Sequence, residues 1–187
     1  AAGLALPATA LASTSRLSRL DPKLPTAPAD PQGGLRYRVL GRTGMKVTSM
    51  GFGCMITSDP SVIEKAADLG INYFDTARVY QQGNNERMVG AALKAKRNSI
   101  FLSSKSGAGK KTEALTNLET SLKEIGTDHL DVWYLHGKSK AEEITDEWLE
   151  AQAQAKKEGK IRFSGVSTHN GQTDIIKAVT AKKDQID

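Results

Sequence analysis

From Gly51 onward, short strand-like runs alternate with longer amphipathic runs, and this order narrows the available folds more than any other feature of the chain. Strands are expected at Gly51 to Met55, Ile71 to Phe74, Ile100 to Ser104, Asp131 to Leu135 and Ile161 to Val166. Each is followed by residues with helical periodicity. Leu115, Leu118, Leu122 and Ile125 recur at spacings of three, four and three, which puts them on one helix face, and Gly126 supplies a left-handed stop. Thr112 is placed to cap that helix. Ser61 and Glu64 form a capping box ahead of Val62, Ile63, Ala66 and Ala67, with Gly70 as terminator. Further helices are expected over 85–96, 146–158 and 172–181. When each strand is followed by a helix, the chain is carried back before the next strand starts, so the strands lie parallel and the helices cover them.

Ahead of the alternation, Tyr37 to Leu40 and Lys46 to Met50 flank Gly41-Arg42-Thr43-Gly44 and predict a β-hairpin. Residues 13–34 carry Pro22, Pro25, Pro28 and Pro31 among Ser, Thr and Gly; they cannot bury enough apolar surface to fold and are expected to be a disordered linker. Residues 1–12, AAGLALPATALA, end in Ala10-Leu11-Ala12, the small-residue pattern of a signal peptidase site. The run reads as the remnant of an export signal, of the twin-arginine kind, with a periplasmic location; the alternative is an Ala-rich tail on a cytoplasmic protein. It is too short to span a bilayer, which takes about 20 apolar residues, and no later segment qualifies.

Charge excludes some partners. The 26 Lys and Arg residues exceed the 21 Asp and Glu residues by five, but they are interleaved with them, and only 5% of residues are aromatic. That is the pattern of solvated helix faces, not of a nucleic-acid stripe. Cys54 is the single cysteine, so it forms no internal disulfide, and it reads best as a small buried hydrophobe.

In a barrel of β/α units, side chains leaving the C-terminal ends of the strands converge on one site. Here those residues are Asp75, with Tyr80 five positions on, then Lys105, His136 and Ser167. The set suits reduction of a carbonyl by a nicotinamide. A hydride delivered to carbon leaves an oxygen that needs a proton. A phenol, ordinarily titrating near about 10, can supply it when an ammonium stabilises the phenolate. Tyr80 is then the acid and Lys105 its helper, held charged and aimed by Asp75, while His136 donates a hydrogen bond to the carbonyl oxygen.

The stretches FDTARVY (74–80), LSSKS (102–106), WYLHG (133–137) and GKIRFSGVST (159–168) together resemble the successive signatures of the aldo-keto reductase superfamily. The resemblance covers the chain from about Tyr37 to its end. It implies an α/β fold, the (β/α)8 TIM barrel, here incomplete at five of eight units, with residues 35–187 forming a partial NADP-dependent oxidoreductase barrel. It implies that Asp75, Tyr80, Lys105 and His136 are the catalytic tetrad and that Ser167 meets the nicotinamide carboxamide, with Thr168 beside it among the cofactor-binding residues. Gly53, Cys54 and Met55 would line the cofactor or substrate site, with NADPH as cofactor and a small carbonyl compound as substrate. The family commonly has Asn after the fifth-strand Ser, where Thr168 stands here. The strands that supply the stacking aromatic and the 2′-phosphate grip are expected beyond Asp187.

Other readings accompany these. SKSGAGKKT (104–112) imitates a phosphate loop but has Ser104 where Gly is needed and Lys111 where Ser or Thr is needed. A metal-dependent barrel hydrolase built on Asp75, His136 and His169 is one rival, although it leaves Tyr80 and Lys105 idle. A catalytically inactive barrel fragment is the other. His129, Trp133 and Trp148 read as structural, and Asn84 to Arg87 as helix capping.

Overall fold

All the predicted strands form, and from Phe52 onward each pairs with the next in the chain. The computed structural model describes residues 34–187; the export run at 1–12 and the expected linker up to residue 33 lie outside the described residues. Strands β1 (Tyr37–Val39) and β2 (Lys46–Thr48) make an antiparallel hairpin. Strands β3 (Phe52–Gly53), β4 (Tyr73–Asp75), β5 (Phe101–Ser106), β6 (Leu130–Leu135) and β7 (Ile161–Val166) make a five-stranded parallel sheet in chain order. Helices α1 (Pro60–Asp68), α2 (Asn84–Leu93), α3 (Lys111–Ile125), α4 (Asp146–Lys157) and α5 (Gln172–Ala181) follow β3 to β7 in turn. A parallel sheet wound in sequence order, with a helix after every strand, is an arc of a (β/α)8 barrel.

Strand alternation sorts side chains between two layers. Phe74, Leu102, Trp133 and Leu135 face outward and pack with Ile63, Val89, Leu118 and Leu122 of the helices. Trp133 lies against Trp148 of α4, ring centroids 4.6 Å apart. The opposite parity faces the barrel interior: Tyr73, Phe101, Val132, Tyr134 and Phe163 cluster with Met45 and Val47 of the hairpin. Burying each large apolar side chain contributes about 1.5–3 kcal/mol, so the two layers together fix the register. Gly165 of β7 is required by the interior, since a Cβ there would stand 2.6 Å from the ring of Tyr134.

The hairpin plugs the N-terminal end of the arc. Buried Asn72, just before β4, accepts from the Thr48 amide at 2.7 Å and donates to the Lys46 carbonyl at 2.9 Å. That leaves the C-terminal strand ends for chemistry. On the outer side of β6, fully buried Asp131 accepts the Leu102 amide at 2.8 Å and faces Arg97 at 3.0 Å and Arg162 at 3.5 Å.

Several local expectations shift. The cap of α1 is Asp59, whose carboxylate accepts the Ser61 amide at 2.9 Å, because Pro60 at the first helical position starts the helix earlier than a Ser61 cap would allow. Thr112 lies inside α3; the Lys111 amide at that end is satisfied by Glu147 from α4 at 3.0 Å. The first parallel strand is shorter than expected, leaving Cys54 and Met55 beyond its end. Helix α2 stops at Leu93 and continues as a 3-10 turn to Ser99. The stops at Gly70 and Gly126 hold, both glycines having positive φ. Among the described residues no helix is long and apolar enough to cross a membrane.

Candidate active site

The interior parity that buries Tyr73, Phe101 and Val132 continues upward to ionisable groups. Asp75 is two residues beyond Tyr73 and ends β4, Lys105 is four beyond Phe101 on β5, and His136 directly follows β6. Lys105 stands opposite Tyr134 in the ladder. All three therefore emerge on one side at the C-terminal end of the arc, and Tyr80 joins them from the loop after β4.

Lys105 is the hub. Its side chain is only 8% exposed, and its Nζ pairs with Asp75 Oδ2, donates to the Thr76 carbonyl at 2.7 Å and to the Tyr80 hydroxyl at 3.2 Å. The ammonium also lies 4.7 Å from the centre of the Tyr80 ring. Asp75 is held from its other oxygen by Ser103 Oγ at 2.6 Å. Each carboxylate oxygen thus has a partner, which fixes the plane of the group that fixes Lys105. His136 meets Tyr80 edge-on, ring centroids 5.7 Å apart and planes at 82°. The four residues expected from the strand ends are brought into one constellation.

Tyr80 starts a short turn, Tyr80–Gly83, in which Gln81 (φ 49) and Gln82 (φ 56) hold left-handed conformations unusual for non-glycine residues. Gln81 Nε2 ties this turn to the carbonyls of Met55 at 3.2 Å and Thr57 at 2.8 Å. Gly53 and Met55 are exposed at the end of β3. Cys54 is not: its side chain is fully buried in the outer core, and burial, then Asp75, push its thiol up to about 12. Alternation turns the side chain away from the rim. Ser167 and Thr168 are half-buried after β7. Ser167 Oγ accepts the Gly137 amide at 2.9 Å, while Thr168 Oγ1 turns to the Asn170 carbonyl of its own loop at 2.5 Å.

Burial first, and then the Lys105 ammonium, push the His136 imidazole below its ordinary value of 6.5. A histidine with a depressed folded-state pKa binds fewer protons folded than unfolded in the window below its ordinary value, so stability falls as pH drops through that window. Melting temperature is expected to fall between about pH 7 and about pH 5, and His136→Gln to flatten that slope. An unchanged slope in the variant would assign the acid sensitivity to other groups.

Among the described residues no group of three or more His, Cys, Asp or Glu is arranged to hold a metal ion. Asp75 already spends both oxygens on Lys105 and Ser103. The metal-hydrolase reading therefore loses its central ligand.

The Aldo/keto reductase family model matches residues 57–187. The chain belongs to the aldo/keto reductase family. An oxidoreductase of Bacillus subtilis, YqkF, is 34% identical over 151 residues, covering 72% of this chain and 49% of that protein. L-Galactose dehydrogenase of Arabidopsis thaliana is 30% identical over 154 residues, 71% of this chain and 48% of that one. Among solved structures, an aldo-keto reductase of Bacillus halodurans in its holo form superposes with a TM-score of 0.72 at 34% identity, covering 79% of this chain and 54% of that one. A Klebsiella pneumoniae aldo/keto reductase in complex with NADP and acetate gives 0.58 at 30% identity, covering 73% of this chain and 50% of that one. This aldo/keto reductase chain spans about half the length of the curated relatives it matches.

In this aldo/keto reductase the stretch Asn84 to Arg87 departs from the capping role expected of it. Asn85 and Glu86 do not cap α2; both are fully buried and bind the segment leading to Tyr80. The available signal was a pair of polar residues immediately before an apolar helical face, which capping explains equally well.

Proposed function

We propose that the protein is an NADP(H)-linked reductase of an aldehyde or ketone, with Tyr80 as the proton donor. The Asp75–Lys105–Tyr80 chain of contacts facing His136 carries this reading. A metal hydrolase has no use for a phenol bonded to a buried ammonium. A carbonyl reductase needs that pair.

The open end of the arc suits a nicotinamide. Gly53 has nothing within 4 Å of where a Cβ would stand, which leaves room for a ring, and the hydroxyl of Ser167 lies half-buried across the rim. Gly53, Met55 and Ser167 would hold the cofactor, which when bound supplies hydride to the carbonyl carbon. The protein's own residues do the rest. Tyr80 gives its hydroxyl proton to the carbonyl oxygen as negative charge grows there. Lys105, 3.2 Å away, stabilises the phenolate left behind, and Asp75 keeps Lys105 aimed. His136, its imidazole biased towards the neutral form, donates a hydrogen bond that orients the carbonyl oxygen between itself and Tyr80. That the Klebsiella relative was solved with NADP supports the choice of NADP(H) as cofactor.

The test is calorimetric titration with NADPH and NADH, followed by loss of reduced-nicotinamide absorbance on addition of a panel of aldehydes and ketones. Calorimetry is the better binding readout because Trp133 and Trp148 are buried in the outer layer. Tighter binding of NADPH and carbonyl-dependent oxidation are expected. No binding of either nucleotide by the whole protein would end the reductase reading.

A further inference from the structure

The segment that carries Tyr80 is gripped from outside the barrel by a buried polar cluster that the proposed reaction does not use. Glu86, in the first turn of α2, is 0% exposed. Its Oε1 accepts from Ser104 Oγ at 2.6 Å, and its Oε2 is paired with the Arg78 guanidinium. Beside it, Asn85 accepts from Thr76 Oγ1 at 2.6 Å and donates to the Cys54 carbonyl at 2.8 Å. Arg78 is fixed at its backbone as well, its amide donating to the Lys105 carbonyl at 3.0 Å. The fit around it is tight: a Cβ on Gly83 (φ +88) would stand 1.9 Å from Arg78 Nη2.

Adjacent residues of β5 thus hold the same segment from opposite faces. Lys105 points inward to Asp75, the Thr76 carbonyl and Tyr80, while Ser104 points outward to the carboxylate that clamps Arg78. A buried ion pair is weak evidence of stability in itself, because well-packed apolar residues commonly serve as well or better. What this pair supplies is direction. It ties down the second residue before Tyr80, and Gln81 and Gln82 just after Tyr80 hold left-handed conformations, which persist only where the surrounding structure imposes them.

We propose that Glu86 is a positioning residue for Tyr80, acting through Arg78 to set the distance of the phenol from Lys105 and from a bound carbonyl. The inference rests on the reductase reading of the site. Glu86 touches neither substrate nor cofactor, so removing it should harm proton transfer more than binding.

The experiment compares the whole protein with Glu86→Gln and with the double variant Arg78→Met/Glu86→Gln, which leaves no unpaired buried charge and so protects against misfolding. A misplacement of about 1 Å in a reacting group costs about a hundredfold, and both variants are expected to lose about ten- to a hundredfold in kcat. KM for the carbonyl and the affinity for NADPH should stay within about twofold. The solvent deuterium isotope effect on kcat should rise, and the amides of Tyr80 and Gln82, bonded to the Ala77 and Val79 carbonyls, should exchange faster. Unchanged kcat in a folded variant overturns the proposal. So does a parallel loss of kcat, nucleotide affinity and melting temperature in both variants, which would make Glu86 a structural part only. Absence of carbonyl turnover in the unsubstituted protein is a different failure, that of the reductase reading itself.

Discussion

Replacing Tyr80 by Phe is expected to lower kcat for carbonyl reduction by about a hundred- to ten-thousandfold, while NADPH affinity stays nearly constant. The substitution removes one oxygen and leaves the ring, so the edge-on contact with His136 and the position of the ring near the ammonium persist. Lys105 keeps Asp75 and the Thr76 carbonyl as partners, so the site should not collapse. On the proposed mechanism, what disappears is the proton donor, along with the phenolate that Lys105 would stabilise. Transient kinetics would separate this from a binding defect: the hydride-transfer phase should slow while the nucleotide-binding phase is unaltered. A Tyr80→Phe protein with more than about a tenth of the original kcat would move the acid role to His136.

The second large effect concerns stability and lies on the outer side of β6. Asp131→Ala is expected to destabilise the fold by about 3–5 kcal/mol, because it leaves the Arg97 and Arg162 charges without their carboxylate, although Arg97 keeps the Thr127 hydroxyl and the Ile100 and His129 carbonyls, and leaves the Leu102 amide without its acceptor. The side chains of these arginines are only 15% and 17% exposed, so water can solvate them only in part. Asp131→Asn keeps an oxygen for the Leu102 amide but not the charge. It should recover only the hydrogen-bond part, about 1 kcal/mol. Urea denaturation of the two variants tests this ordering. A loss below about 1 kcal/mol for Asp131→Ala would mean that the arginines swing into solvent and that the carboxylate is dispensable.

Much of the barrel was legible in the sequence because the alternation of strand and helix and the helical spacing carry it. The alternation of strand and helix put Asp75 and Lys105 at strand ends on one rim, and the three-four-three spacing of Leu115 to Ile125 fixed α3. Tyr80 could be placed only by its motif, since it sits in a turn where neither pattern applies. What stayed hidden depends on partners distant in sequence. Glu86 and Asn85 look like capping residues until Ser104, 18 positions away, and Cys54, 31 positions away, arrive beside them. The choice between Asp59 and Ser61 as cap depended on where Pro60 fell in the helix, which local rules leave within a residue or two. Cys54 was counted both as core and as rim; one residue more or less in β3 decides which side it faces.

The burial of Cys54 makes the molecule convenient for spectroscopy. It is the single cysteine of the sequence, and a thiol raised to about 12 presents almost no thiolate to a maleimide at neutral pH. A cysteine introduced at Ile56, 85% exposed and adjoining the Met55 and Thr57 carbonyls that tether the Tyr80 turn, would therefore take a fluorophore or spin label almost alone. Its signal would report directly on the movement of that turn when candidate nucleotides and carbonyl compounds are added.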